Sequence, residues 1–538
     1  MMSSVATAVA EELQQAGVDR AFGLPGGEVL YVLEELRQHG TEFVLCRHEA
    51  NAGIMAAVYG KLKRRPGVVL TTLGPGAANL MLPLSNSLLD REPLLALSAQ
   101  IPASWPTAHT HQRLPLVDCY RPVTKFAAAL DSLTARRTIR RAIEICLEEP
   151  AGPVYLTLSA EESRSASHEP MPPGRAEAAT GDRSPAGGDA EAVAGELCQR
   201  LARAECPLVL LGLGAPVALA EQLRTWLDEW GLPVAVTPKV KGIVDETADN
   251  FVGVVGGMAI DNVLVGALRS ADLLIGFGFD PVEVDKRWHA ELPIVWVLDE
   301  PLALQVVPQQ NLLAADYGLL LEALNGAEAP RTWPDPFGEF KRRRNEFWAA
   351  AGQAQSLRDA PVAIVRALAE VLPPETIVTT DVGSHKYLFG QFWPSRKPET
   401  FFMSNGLSAM GYGLPAAIGA KLARPDAPVL AVLGDGGFSM NSQELETAQR
   451  AGAAVIVLVI ADRSYSLIHH SQKSKGLPNY GVDFTPIDSV LTARACGVDG
   501  VRVETARELA AAVSGAVAWQ RSLIVEVPVD VAAYGPLV

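Results

Sequence analysis

Val429-Leu-Ala-Val-Leu-Gly434-Asp435-Gly436-Gly437-Phe438 is an apolar run that ends abruptly in glycines around one acidic residue. A helical pattern follows over residues 442–450. A second apolar run, Ala454-Val-Ile-Val-Leu-Val-Ile460, then ends at Ala461-Asp462-Arg463-Ser464. Near-continuous apolar strands, as opposed to alternating ones, indicate a parallel sheet covered on both faces. A strand–helix–strand unit of this kind is right-handed, which brings the C-terminal ends of its strands side by side. Asp435 and Asp462, 27 positions apart, therefore share one edge of the sheet. Two carboxylates with neighbouring carbonyls and a helix N-terminus form a site for Mg²⁺ bridging a diphosphate. Gly434 and Gly436 let the backbone come close to the phosphates. Gly-Asp-Gly alone is an ordinary turn; the second acidic strand end makes the pattern specific.

Outward from this segment the same alternation recurs. Gly67-Val-Val-Leu-Thr-Thr, Pro207-Leu-Val-Leu-Leu-Gly and Ala271-Asp-Leu-Leu-Ile-Gly each precede amphipathic stretches. Two stretches read as linkers, residues 162–188 and 326–359, the second with a possible helix over 340–348. They divide the 538 residues into domains over 1–162, 189–326 and 359–538, each of ordinary size. The expected fold class is α/β: three doubly wound parallel-sheet domains, with ligands at the C-terminal ends of strands.

Lys+Arg number 46 against Asp+Glu 61, a net charge of −15, which argues against general binding to nucleic acid or an anionic membrane. The six cysteines are scattered, with no CxxC pair, as expected of reduced thiols in a cytoplasm. The first ten residues lack the basic start and apolar run of a signal peptide, and no apolar stretch reaches membrane-spanning length. The lone Gly212-Leu-Gly214 is too weak to predict a dinucleotide.

With Gly434-Asp435-Gly436 and Asp462 in place, the chain resembles the thiamine diphosphate (ThDP)-dependent enzymes. The resemblance implies that Asp435, Asp462 and the carbonyl of Ser464 ligate Mg²⁺, with Asp462 standing where Asn is commoner. It implies that Gly434, Gly436, Gly437, Tyr465 and His385 of Asp381-Val-Gly-Ser-His385 contact the cofactor. In Gly406-Leu-Ser408-Ala-Met410-Gly, the Ser408 carbonyl and Met410 amide would bond the aminopyrimidine, and the Met410 side chain would wedge the cofactor into its bent form. Glu49, in Cys46-Arg-His-Glu49, looks like the family's activating acid. It would share its proton with a ring nitrogen of the pyrimidine in a dry site. In the family the first domain of one subunit faces the third domain of another, which implies a homodimer or homotetramer with active sites at the interface.

Phe22-Gly-Leu-Pro-Gly26-Gly27-Glu28, Leu73-Gly74-Pro75-Gly76 and Thr110-His111-Gln112 resemble segments of FAD-free, catabolic-type acetolactate synthases. They add Gly27 and Gln112 as catalytic and Gly74 as cofactor-binding, with Gln112 donating a hydrogen bond to the intermediate. FAD is not expected. Three positions near the expected substrate pocket are Glu28, where the catabolic enzymes carry Lys; His111; and Ser471, where relatives have a larger residue. His469, His470, Lys473 and Lys475 are a candidate anion patch or a solvated surface. The implied reaction is decarboxylation of a 2-oxo acid followed by carboligation. The alternatives are a non-ligating decarboxylase, a related synthase with a larger or different substrate, such as a carboxyethylarginine synthase-like enzyme, or a catalytically silent ThDP-binding homologue.

Overall fold

The computed structural model describes residues 3–105, 111–168, 189–256, 261–283, 292–299, 311–333, 337–535 and 537. The apolar runs form three six-stranded sheets, and every pairing in them is parallel. The first holds β1 (Arg20–Leu24), β2 (Glu42–Leu45), β3 (Gly67–Thr71), β4 (Leu94–Gln100), β5 (Phe126–Ala129) and β6 (Val154–Ser159) in the order 2-1-3-4-6-5. The second holds β7 (Pro207–Leu211), β8 (Val234–Val236), β9 (Phe251–Val254), β10 (Leu273–Phe277), β11 (Ile294–Leu298) and β12 (Leu312–Ala314), ordered 12-11-10-7-8-9. The third holds β13 (Ile377–Thr380), β14 (Phe401–Met403), β15 (Val429–Gly434), β16 (Ile456–Ala461), β17 (Asp499–Arg502) and β18 (Leu523–Pro528), ordered 14-13-15-16-18-17. The α/β expectation holds in all three.

The orders reverse between β1 and β3, between β7 and β10, and between β13 and β15, and the first and third turn back again at their far edges, 6-5 and 18-17. At such a point the connections leave in opposite directions and open a crevice beyond the strand ends. The sheets do not bury their faces independently. The helices Glu49–Lys63 and Gly413–Ala423 are apolar and small-sided nearly all round, as a helix with no solvent face must be. They cross so closely that a Cβ on Gly419 would collide with the Met55 carbonyl, and one core cluster runs through both the first and the third sheets.

Three local expectations shift. The helix after β15 opens at Asp435 itself, earlier than residue 442, and a second turn of helix covers Glu444–Arg450. The expected linker at 162 begins inside a short helix, Ala160–Arg164, and Ala166 bridges back to Ser4. In the second expected linker a helix does form, Gly338–Ala351, with Phe340 buried against the second and third sheets' shared core. Among the described residues no helix is long and apolar enough to cross a membrane.

Candidate functional site

At the third sheet's reversal, β15 and β16 run in register to the pair Gly434 and Ile460, so Asp435 and Asp462 follow adjacent strand ends. The Oδ2 of Asp435 accepts a hydrogen bond from the Arg463 amide at 2.9 Å, and Asp462 accepts from the Ser464 amide at 3.1 Å. Burial pushes both carboxyls up, Asp435 to about 6 and Asp462 to about 7, the latter also through repulsion by Asp435. Two acids disfavoured as anions by a dry site and by each other are stabilised by a bound cation. Among the described residues no group of three His, Cys, Asp or Glu side chains is placed to hold a metal ion by itself. A hard cation here would therefore complete its shell with carbonyl, phosphate or water oxygens, as Mg²⁺ does.

His385 lies across the crevice from Gly434, whose added Cβ would stand 3.2 Å from the ring. The imidazole donates to the Asp381 carbonyl, which leaves Nε2 buried and without a partner. Burial lowers its pKa to about 3, so the ring is neutral as it stands. A phosphate beside Nε2 would raise that value and let the nitrogen hold a donated proton. The orphaned nitrogen, the bare glycine opposite and the paired acids thus fit a metal-bound diphosphate. Tyr465 lays its ring over Gly436, where a Cβ would come within 2.9 Å, and packs on Phe484.

Asp381, which the sequence reading left without a role, ties this edge together. It is fully buried and accepts from the amides of Val382 and Gly411, and burial raises it to about 7. Its carboxylate also fills the space beside Gly437. The loop 404–411 is thereby held at one end. Ser408 sits in it with a left-handed backbone, φ 55°, which a non-glycine residue adopts only under constraint. Ser408 is exposed and Met410 half-buried. The hydroxyls of Ser384 and Ser466 meet at 2.8 Å and join the helices Ser384–Phe392 and Ser466–Ser474; neither residue carried a sequence signal.

A second group of residues assembles at the first sheet's reversal. Glu49 opens its helix, 8% exposed, and accepts from Asn79 at 2.9 Å. Thr72, missed in the sequence though it directly precedes Leu73-Gly74, links the others. Its hydroxyl donates to Glu28 at 2.8 Å, and its methyl and Glu49 Oε1 both fill the space where a Cβ on Gly76 would stand. Gly74, at φ 59°, backs onto Gln112, and His111 and Gln112 are exposed. Gly27 has open space around it. Glu28, Glu49, Gly74 and Gln112 are thus one constellation, whereas Thr110 lies outside the described residues. Among the described residues no hydrogen bond or ion pair joins Glu49 to Asp435, Asp462, His385 or Ser408.

The helix Ser466–Ser474 carries Ser471, half-buried, together with His469 and His470. His470 Nε2 is bonded to the Val531 carbonyl, His469 Nδ1 faces Asn479, and burial lowers the His470 pKa.

The second sheet's reversal is filled by the chain itself. Glu283 Oε2 accepts the Leu213 amide at 2.7 Å within Gly212-Leu-Gly214, and Oε1 accepts the Thr237 hydroxyl. The amide that a strand-end crevice offers to a ligand phosphate is already taken by a carboxylate.

Comparison with known proteins agrees with this geometry. Residues 3–118 match the family model of the thiamine pyrophosphate enzyme N-terminal TPP binding domain, 194–324 its central domain, and 381–527 its C-terminal TPP binding domain. The acetolactate synthase of Bacillus subtilis is 30% identical over 97% of this chain and 92% of its own length. The catabolic acetolactate synthase of Raoultella terrigena is 29% identical over 97% and 94%. The acetolactate synthase isozyme 2 large subunit of Escherichia coli is 28% identical over 94% and 91%. Matched by all three of these domain models and similar over its full length to these enzymes, the chain belongs to the thiamine pyrophosphate enzyme family.

Proposed function

We propose that this protein decarboxylates a 2-oxo acid and joins the retained fragment to a second carbonyl compound, as an acetolactate synthase does. The observation that carries the reading is the pairing of Asp435 and Asp462 on adjacent strand ends, opposite the partnerless Nε2 of His385. Asp435, Asp462 and the Ser464 carbonyl hold Mg²⁺; His385 and the Gly434–Gly437 backbone, under Tyr465, hold the diphosphate. The Ser408 carbonyl and Met410 hold the pyrimidine ring. When bound, ThDP supplies a thiazolium that stores the electron pair released with carbon dioxide. Glu49, nearly fully buried, would face the pyrimidine nitrogen and exchange a proton with it. Gln112, packed against Gly74, would present its side-chain amide to the substrate oxygen.

The two constellations meet between subunits. Large apolar side chains exposed on a single chain flank both: Leu30, Tyr31, Met81 and Trp105 on the first, Leu407, Tyr465, Ile468 and Leu477 on the third. This supports a homodimer or homotetramer whose active sites lie at the interface. The filling of the central crevice by Glu283 supports an enzyme that works without FAD.

The test is NMR of product formation from pyruvate with ThDP and Mg²⁺, comparing wild type with Glu49→Gln. Acetolactate formed by the wild type alone supports the reading. Acetaldehyde alone would make the protein a decarboxylase. ThDP binding with no turnover of any 2-oxo acid would refute it.

A further inference from the structure

A group of ionisable side chains lies buried where the three sheets meet, away from both constellations. Lys239 follows β8, and its side chain is 2% exposed. Its ammonium stands 3.4 Å from Asp90 Oδ2 and 3.3 Å from Glu92 Oε1, and it donates to the Met403 carbonyl at 3.0 Å. Asp90 and Glu92 are 1% and 0% exposed and belong to the first sheet's connection between the helix Met81–Asp90 and β4. The Tyr412 hydroxyl donates to Glu92 Oε1 at 3.3 Å, while Glu92 Oε2 has no partner. Burial works against the ammonium of Lys239, but the two carboxylates outweigh it and hold the pKa up. Burial raises Glu92.

These groups grip both ends of the loop 404–411. On the entering side, Asp90 accepts from the amides of Asn405 and Gly406, Ser404 donates to Asn86 at 2.6 Å, and the Asn405 side chain donates to the Glu283 carbonyl at 3.0 Å. On the leaving side stands Tyr412. Gly406 is pressed against Leu89, so the loop has no room to move toward the first sheet. Ser408 and Met410 lie between the two anchors. Without the ammonium, two carboxylates would face each other in a dry site, and one of them carries the Asn405 and Gly406 amides.

We propose that Lys239 is a positioning residue for the cofactor's ring: from the second sheet it neutralises Asp90 and Glu92, and so fixes the loop that presents Ser408 and Met410. The inference rests on the reading of that loop as the pyrimidine holder. It makes the second sheet part of cofactor binding although it touches no cofactor. Lys61 and Glu399 add longer-range charge from the first and third sheets, and Lys61 lies near enough for its own pKa to be lowered, first by burial and then by Lys239.

The experiment measures ThDP affinity by quenching of intrinsic fluorescence in the full-length protein, with the unfolding midpoint and KM values alongside. Lys239→Met should weaken ThDP binding at least tenfold and leave the KM for the 2-oxo acid unchanged at saturating ThDP. Adding Glu92→Gln should restore most of the affinity, because it removes one of the two facing carboxylates and with it their mutual repulsion. Tyr412→Phe keeps the packing and should weaken ThDP binding by about threefold, which keeps the test open should Lys239→Met fold poorly. Met410→Gly serves as the control for the loop. If Met410→Gly leaves ThDP affinity intact, the reading of the loop fails. If it weakens binding but Lys239→Met and Tyr412→Phe lower only the unfolding midpoint, or Glu92→Gln restores nothing, the proposal for Lys239 is overturned.

Discussion

Glu444 offers the sharpest test of how the first and third sheets are wired together. Its carboxylate is fully buried in the helix Glu444–Arg450 of the third sheet. It accepts from the amides of Arg47 and His48 at 3.1 Å each, from Asn51 Nδ2 at 2.9 Å and from Thr447 Oγ1 at 2.6 Å. The turn it grips leads straight into Glu49. Glu444→Ala would strip two backbone amides and one side-chain amide of their acceptor in a dry site, at about 1–3 kcal/mol each before relaxation. A net cost of about 3–5 kcal/mol follows for breaking a buried charged network. Glu444→Gln keeps one oxygen for Arg47, His48 and Asn51, and its amide can donate to the Thr447 hydroxyl, so the cost falls to about 1–2 kcal/mol. Hydrogen exchange of residues 46–52 reads this directly. Each 1.36 kcal/mol is about tenfold, so exchange should accelerate roughly 10²-fold or more in Glu444→Ala and about tenfold in Glu444→Gln. Turnover should fall in the same order, because the turn orients Glu49. Unchanged exchange at 46–52 in Glu444→Ala would refute the argument, whatever happened to global stability.

Glu283 should impose a pH dependence on stability. Burial raises it from 4.5 to about 8, so the folded chain holds a proton there that the unfolded chain has lost. Its contribution to stability is therefore fully present below about pH 4.5 and is lost as pH rises toward 8. Glu283→Gln should flatten this slope in urea midpoints taken at pH 5, 6.5 and 8, and an identical slope in both proteins would show that Glu283 does not titrate this way. Gly419→Ala places a Cβ against the Met55 carbonyl at the crossing of two buried helices. It should cost about 1–3 kcal/mol by overpacking, seen as a lower unfolding midpoint; a midpoint at or above the wild-type value would mean that the crossing is looser than described.

Much of the fold and part of the site were legible from local pattern. A parallel strand buried on both faces is a continuous apolar run, and its end is marked by a glycine or acid that cannot continue it. That made all three sheets and the adjacency of Asp435 and Asp462 readable in one dimension. The helix start at Asp435 was misread because three glycines in four residues carry no helical propensity; packing against the strand ends overrides it. The residues that fix the site from behind left no trace. Asp381, Thr72, Glu444 and Lys239 act on partners far away in sequence: Thr72 on Glu28, Glu444 on Arg47, Lys239 on Asp90.

The sequence by itself determined most of the secondary structure, the parallel sheets and the acidic strand ends, because strand and helix periods and turn chemistry act over a few neighbouring residues. Only the tertiary structure decided which buried charges face each other, that Glu283 fills the central crevice, and that Asp90, Glu92 and Lys239 come together from two sheets to anchor the loop of a third. A buried carboxylate or ammonium is tolerable only beside its partner, and the chain spacing of those partners follows no period.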